Sequence, residues 1–297
     1  MKEFPEFEPL TLEHRYLLRE SLLNANPTIS EMCFGNLYIW QDTYPAYVSM
    51  IEDSYILRGE NAFLVPVCER NHEKTIHLIE KIEGYCTNQK KDVIFKYTPA
   101  QCANVLKTRG YEVIPDRDNW DYLYLTEHLA ELQGQKYYSK RKDIKKFMVA
   151  TNEKAEFLPL AENHLLECLE INRNWLKEKK REDENYLAGE QLALTRALKD
   201  YSALEFIGFA VLLDGDVIGF TIGEQLNRET VVVHFEKGDY RYPGIYQYIN
   251  QKFADAMLGK FKYINREQDL GIPGLRKAKE SYHPIAMVEK FTCIKRA

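Results

Sequence analysis

The stretch VVVHFEKGDYRYPGIYQYINQKFADAML, residues 231–258, decides how this chain folds. Its β-branched start, Val231-Val232-Val233, reads as a buried strand, because successive apolar residues leave no face for water. A charged loop follows at 236–241. Pro243-Gly244 then opens a helix expected over about 245–258, with Ile245, Ile249, Phe253 and Met257 forming one apolar stripe. A second short strand is expected at 262–265. After it comes a loop that sets charges beside glycines. Strand, loop and helix N-terminus in this order suit an anion, because free backbone N–H groups and the helix dipole both face the loop.

Outward from this stretch, the chain shows a repeat. Phe7, Pro9, Leu10 and His14 recur as Phe157, Pro159, Leu160 and His164, at a constant offset of 150 residues. A self-match at half the chain length indicates two copies of one unit. The order of elements agrees. The first half reads as helix 11–24, an aromatic loop at 34–47, strands near 46–51, 54–58 and 62–67, helix 73–89, strand 93–97, helix 99–108 and a closing strand 121–125. The second half reads as strand 155–160, helices 162–178 and 186–199, and strands 204–213 and 217–225 joined by the hairpin signal Asp214-Gly215. Strand 230–236, the 245–258 helix, strand 262–265, a short helix at 274–281 and a last strand at 286–293 follow. The expected organisation is an N-terminal unit at 1–128, a joining segment at 129–150 and a C-terminal unit at 151–297 that carries the site.

Composition narrows the class. A chain of 297 residues with 45% hydrophobic and 29% charged residues describes globular domains, and its length suits two of them. The net charge of −5 gives no global field for nucleic acid or an anionic membrane, so any polyanion site must be local. No run approaches the length of a transmembrane helix, and MKEFPEFEPL lacks the layout of a signal peptide. The six cysteines are scattered without a C-x-x-C pair, as expected for free thiols in a reducing cytoplasm. The joining segment is the local exception in charge. Residues 136–146 hold six cations and one anion. That is either a solvated helix face or a basic helix that holds a phosphate-bearing ligand, with Tyr137 or Tyr138 available for stacking. A second run, at 177–184, mixes both signs and reads as a loop or an exposed helix end.

Three motifs carry a family resemblance. Arg241-x-x-Gly244-Ile245-Tyr246 resembles the R-x-x-G-x-G/A loop with which GNAT acyltransferases cradle the pyrophosphate of acyl-CoA, with Tyr246 in place of the last small residue. Lys140-Arg141-Lys142-Asp143-Ile144-x-x-Phe147 and Asp269-Leu270-Gly271-Ile272-x-Gly274-Leu275-Arg276-x-x-Lys279-x-x-Tyr282-x-Pro284 complete the set. Together they are similar to a bacterial family related to the C-terminal domain of phosphatidylglycerol lysyltransferase, with Fem-type enzymes as relatives. The resemblance implies an α/β (α+β) protein of two tandem GNAT-like units, each a mixed, mainly antiparallel sheet flanked by helices. It implies an acyltransferase or aminoacyltransferase moving its group from CoA or charged tRNA to an amine or hydroxyl acceptor. The alternative is a non-catalytic ligand-binding or regulatory protein that retains the fold. The membrane-spanning half of the lysyltransferases is absent from the sequence, so the acceptor is open and peripheral membrane contact remains an option.

Acyl transfer needs a polarised carbonyl, a deprotonated acceptor and a protonated leaving group. In the GNAT arrangement two parallel strands splay to bind the carbonyl; here these are 230–236 and 262–265, with a free amide near 234–237. Tyr282 is the candidate acid, or a packing residue. Lys279, one helical turn earlier, either binds phosphate or an oxyanion, or is a surface charge. Asp269 or Glu267 serves the acceptor amine, unless Asp269 is a turn residue. Glu236 or His234 is the candidate base, or a satisfied polar group on a strand. Arg241 is the expected phosphate contact. Lys237, Gly244, Ile245, Tyr246, Asn265, Lys140 and Arg141 are expected around the donor. No metal is expected: His72 and His77 lack partners of a known ligand motif. There is no G-x-S-x-G, Walker or dinucleotide signature.

Overall fold

A computed structural model describes residues 1–66, 72–178 and 184–297. Cys68 and the middle of the charge run at 177–184 lie outside the described residues. The first half runs through β1 (Glu8–Pro9), α1 (Arg15–Asn24), α2 (Phe34–Ile39), β2 (Tyr47–Ile51), β3 (Ser54–Arg58), β4 (Phe63–Leu64), α3 (His72–Asn88), β5 (Val93–Pro99), α4 (Ala100–Thr108) and β6 (Glu112–Pro115). Next come β7 (Asp121–Leu125), α5 (Thr126–Glu131) and the basic helix α6 (Tyr138–Ala150). The second half contains β8 (Glu156–Pro159), α7 (Leu165–Glu178), α8 (Glu184–Lys199), α9 (Tyr201–Leu204), β9 (Ile207–Leu213), β10 (Asp216–Gln225) and β11 (Thr230–Gly238). It ends with α10 (Ile245–Met257), β12 (Tyr263–Asn265), α11 (Pro273–Glu280), β13 (Ala286–Val288) and β14 (Lys290–Lys295).

The chain forms two units, each an α/β body with one mixed, mainly antiparallel sheet. Unit 1 comprises Met1–Tyr122, Glu267–Lys277 and Met287–Ala297; unit 2 comprises Leu123–Arg266 and Ala278–Ala286. Among the described residues the first sheet has seven strands in the order β1-β2-β3-β4-β5-β14-β6. Its β4–β5 pair is parallel. The second sheet, also of seven strands, has the order β13-β7-β12-β11-β10-β9-β8. Its parallel pair is β11–β12. The repeated motif opens both halves in the same way: a short strand ending in proline, a 3-10 turn, then an amphipathic helix. β1 and β8 each lie at a sheet edge, where a proline costs no ladder hydrogen bond.

Strand order does not follow chain order. β7, which the sequence reads as closing the first half, pairs with β12 of the second sheet. The expected last strand divides at Glu289. Its first part is β13 of the second sheet, while β14 inserts between β5 and β6 of the first. Apolar patterning marks a buried strand without naming its neighbour. One visible anchor for β14 is its first residue. Lys290 is fully buried in unit 1, 2.6 Å from Asp121, 2.7 Å from Glu31 and 3.2 Å from the Ser30 hydroxyl. Burial pushes the Glu31 carboxyl up to about 7 against the opposing pull of Lys290. Burial disfavours the Lys290 charge, but the two carboxylates outweigh it and raise its pKa.

A further difference is α2, inside the expected aromatic loop. It buries Phe34, Gly35 and Ile39, and is too short to show a helical period in sequence. Unit 1 is filled by Ile56, Ile82, Phe95 and Leu106. In unit 2, Ile245 and Ile249 of α10 pack with Phe147 of α6, Val211 and Ile218. All four residues of the stripe expected on α10 are buried.

Candidate functional site

The site-forming feature of unit 2 is the short pairing of β11 with β12. Their parallel register covers Thr230↔Tyr263, Val231↔Ile264 and Val232↔Asn265 and then stops, while β11 continues to Gly238. Neighbouring side chains on this extension point to opposite faces of the sheet. Glu236 turns toward α10, where Asn250 hydrogen-bonds it. Lys237 turns the other way, 2.7 Å from Glu190 of α8 and 3.4 Å over the Trp175 ring of α7.

Around Glu236 the fold gathers residues from distant parts of unit 2. Arg266, immediately after β12, donates from Nη2 to the Glu236 carboxylate at 3.2 Å. Its guanidinium lies 5.0 Å from the Tyr282 ring centre. Lys140 of α6 places Nζ 4.0 Å from the same ring centre and donates to the Ser281 hydroxyl at 2.5 Å. Lys279 donates to the Arg266 carbonyl at 2.5 Å. Buried tyrosines hold this segment from behind. Tyr137 donates to the Tyr282 carbonyl at 3.0 Å, and Tyr124 to the Lys279 carbonyl at 2.8 Å.

These surroundings set the protonation states. Burial raises the Glu236 pKa, opposed by Arg266, Asn250 and Lys279. Burial likewise raises Tyr282, so its phenol keeps its proton, while Arg266 pulls the other way. Lys140 is lowered, first by burial and then by Arg266. Burial disfavours charge on Arg266, yet the Glu236 carboxylate leaves its pKa raised. The cluster therefore pairs a reluctant carboxylate with a phenol that retains its proton, beside concentrated positive charge.

Of the sequence candidates, Glu236, Lys279, Tyr282 and Lys140 meet here. The others have different surroundings. Arg241 is held by Asp239, with Nε at 3.0 and 2.8 Å from its two oxygens and Nη2 at 2.5 Å. Gly244 is left-handed at φ 93° and caps α10. A Cβ there would lie 2.0 Å from the Asp143 carbonyl and 3.2 Å from the Phe147 Cβ, so α6 packs directly onto this loop. Ile245 belongs to the core. Tyr246 donates to the Gly238 carbonyl at 3.3 Å, and burial pushes its phenol up to about 12. Asn265 is the buried end of β12. Arg141 donates to the carbonyls of Leu132 and Gly134 beyond the end of α5. His234 is paired with Glu224 at 3.0 Å.

Asp269 and Glu267 belong to unit 1. Asp269 accepts from Arg276 at 2.8 and 3.0 Å, Arg117 at 3.1 Å, Tyr122 at 2.6 Å and the Gly271 amide at 2.8 Å. Burial alone would raise its pKa, but these donors hold it well below the usual range. A carboxylate so fully engaged is a poor base. Glu267 accepts from Asn36 at 3.1 Å.

Sequence reasoning passed over Arg266 and Asn250. Arg266 had a readable signal, since it is the first residue after the second of the parting strands. Asn250 had none, because it sits in a helix otherwise read for its apolar stripe.

The model of the family described as "Phosphatidylglycerol lysyltransferase, C-terminal" matches residues 24–294. No curated protein matches the chain. Among solved structures, a conserved protein of unknown function from Bacteroides thetaiotaomicron is 29% identical, with a TM-score of 0.89 over 97% of this chain and 98% of that one. The C-terminal domain of a putative lysylphosphatidylglycerol synthetase from Agrobacterium fabrum has a TM-score of 0.69 at 10% identity, covering 96% of this chain and 92% of that one. L-PGS from Bacillus licheniformis has a TM-score of 0.64 at 15% identity, covering 99% and 94%. The last two likenesses concern the fold. Among the described residues no helix is long and apolar enough to cross a membrane. With nearly all of its length matched by the family model, the chain belongs to the family of the phosphatidylglycerol lysyltransferase C-terminal domain.

Proposed function

We propose that the chain is an aminoacyltransferase whose working site is the Glu236–Arg266–Tyr282 cluster of unit 2. The observation that carries this reading is the buried carboxylate with raised pKa beside a proton-holding phenol, at the place where β11 and β12 stop pairing. An acceptor amine or hydroxyl attacks the carbonyl of the donor ester. Glu236 takes the proton of the nucleophile, and a carboxylate tuned upward is a better base near neutrality. The ester C–O bond breaks, and Tyr282 gives its proton to the departing oxygen. Lys140 and Arg266 beside the ring stabilise the negative charge on the phenol, while Lys279 fixes the chain at Arg266.

A tRNA-linked donor fits better than CoA. The loop that resembles a CoA cradle is covered at Gly244 by the Asp143 carbonyl of α6, and Arg241 is neutralised by Asp239. The face of α6 supports the tRNA reading: Tyr138, Arg141, Lys142, Lys145 and Lys146 are exposed along it, a local basic stripe suited to phosphates.

Titration with charged tRNA and, separately, with acetyl-CoA tests the donor. Binding of charged tRNA, followed by loss of its aminoacyl group to added amines, is expected. Tight CoA binding overturns the donor assignment, and binding of neither overturns the reaction. The engaged state of Arg241 favours one second reading, a ligand-binding protein that kept the fold. Tyr282→Phe that fully complements a deletion, together with no transfer by the unaltered protein, would favour it.

A further inference from the structure

The charges of the unit 2 cluster do not balance. Lys140 and Arg266 meet beside Tyr282, and Glu236 engages Arg266 through one amine alone. The nearby Asp143 is bonded to Lys146 at 2.9 Å. The other amine of Arg266, Nη1, is buried and has no hydrogen-bond partner among the described residues. Lys140 is itself buried. It touches the Ser281 hydroxyl and the Tyr282 ring, and among the described residues no carboxylate stands within ion-pair distance of its ammonium. Buried cations in folded proteins are paired, because removing a lone charge from water costs far more than a ring contact or a hydroxyl returns. A buried ammonium and a largely buried guanidinium, both with unfilled donors beside one aromatic ring, therefore form an ion cluster that lacks a second anion.

We propose that unit 2 binds an oxyanion, a carboxylate or a phosphate carried by its substrate, with Lys140 Nζ and Arg266 Nη1 as donors and the Tyr282 ring alongside. Glu236 occupies Nη2 and repels a second anion, so the ligand takes the Nη1 side of the guanidinium. An oxyanion matches these donors: a planar fork on one side and a mobile ammonium on the other. The assignment rests on reading this cluster as the substrate site, and it adds that the substrate presents an acidic group there. Binding needs no turnover, so it is measured separately from the reaction.

The test is calorimetric titration of inorganic phosphate and of acetate into the whole chain at fixed ionic strength. Saturable binding of at least one is expected, and the one that binds identifies the group. Lys140→Met fills the same volume without the charge and is expected to weaken that binding about tenfold or more. Lys260→Gln, an exposed position after α10 and outside both this cluster and the basic stripe of α6, is expected to leave it unchanged. Failure of both anions to bind, binding that Lys140→Met leaves intact, or an equal loss in both variants overturns the proposal. Intact anion binding without any aminoacyl transfer overturns only the reaction proposed above.

Discussion

Arg266 and Glu236 form a largely buried ion pair at 3.2 Å, with side chains 14% and 12% exposed. Their sequence positions are 30 residues apart, and they stand beyond Val232 and Asn265, the last paired residues of the two strands. The pair therefore ties the tips of parting strands and sets the positions of Tyr282 and Lys279 beside it.

Removing one member of this pair leaves a charge stranded. Arg266→Met is expected to lower the stability of the protein by about 3–5 kcal/mol, and the double variant with Glu236→Gln to recover most of that loss. Urea denaturation of the three proteins measures both effects.

Tyr282→Phe keeps the ring that Lys140 and Arg266 contact and removes the proton. If the phenol protonates the leaving oxygen, transfer is expected to slow by about 100-fold or more, with donor binding unchanged. Single-turnover assays with charged tRNA read the rate, and titration of the same tRNA reads the binding.

Gly244→Ala tests the closure of the loop by α6. The new methyl would meet the Asp143 carbonyl at 2.0 Å in a left-handed backbone. Overpacking and conformational strain together are expected to cost about 2–4 kcal/mol, visible as a lower thermal midpoint. An unchanged midpoint would mean that α6 does not seat on this loop.

The ion cluster of unit 1 predicts a pH dependence of stability. Glu31 rises from an ordinary 4.5 to about 7 on folding, so the folded state holds the proton more tightly. Its contribution is complete below about pH 4.5 and is lost as the pH climbs toward 7. Lys290 is also raised, but from 10.5, and its contribution is lost only in alkali. Glu31→Gln is therefore expected to flatten the change in urea midpoint between pH 4.5 and 7.

Much of the architecture was readable because it is local. The α10 stripe, the Asp214-Gly215 hairpin and the repeated strand-turn-helix openings follow from periodicity and turn chemistry within a few residues. The partners of β7 and β14 were not readable, since apolar runs carry no address. The site divides along the same line. Tyr282, Lys279 and Lys140 stood in motifs and Glu236 at the end of an expected strand, and the four do come together. The fate of Arg241 was written two residues earlier, in Asp239. That of Lys237 depended on Glu190, 47 residues away, and no local pattern announces such a pairing. Asp269 reads in sequence as a carboxylate that serves the acceptor amine, but two arginines and a tyrosine have already claimed it.

β14 occupies an interior place in its sheet, between β5 and β6. During synthesis the first half of the chain thus leaves the ribosome with a gap between two strands, and the gap stays open until residues 290–295 arrive. Assembly order and synthesis order do not coincide, and exposed strand edges of this kind invite pairing with other chains. A nascent chain halted before Lys290 is expected to be a client of chaperones, and the isolated fragment 1–128 to aggregate. Supplying residues 286–297 as a separate peptide is expected to rescue unit 1 only when 267–277 is provided as well.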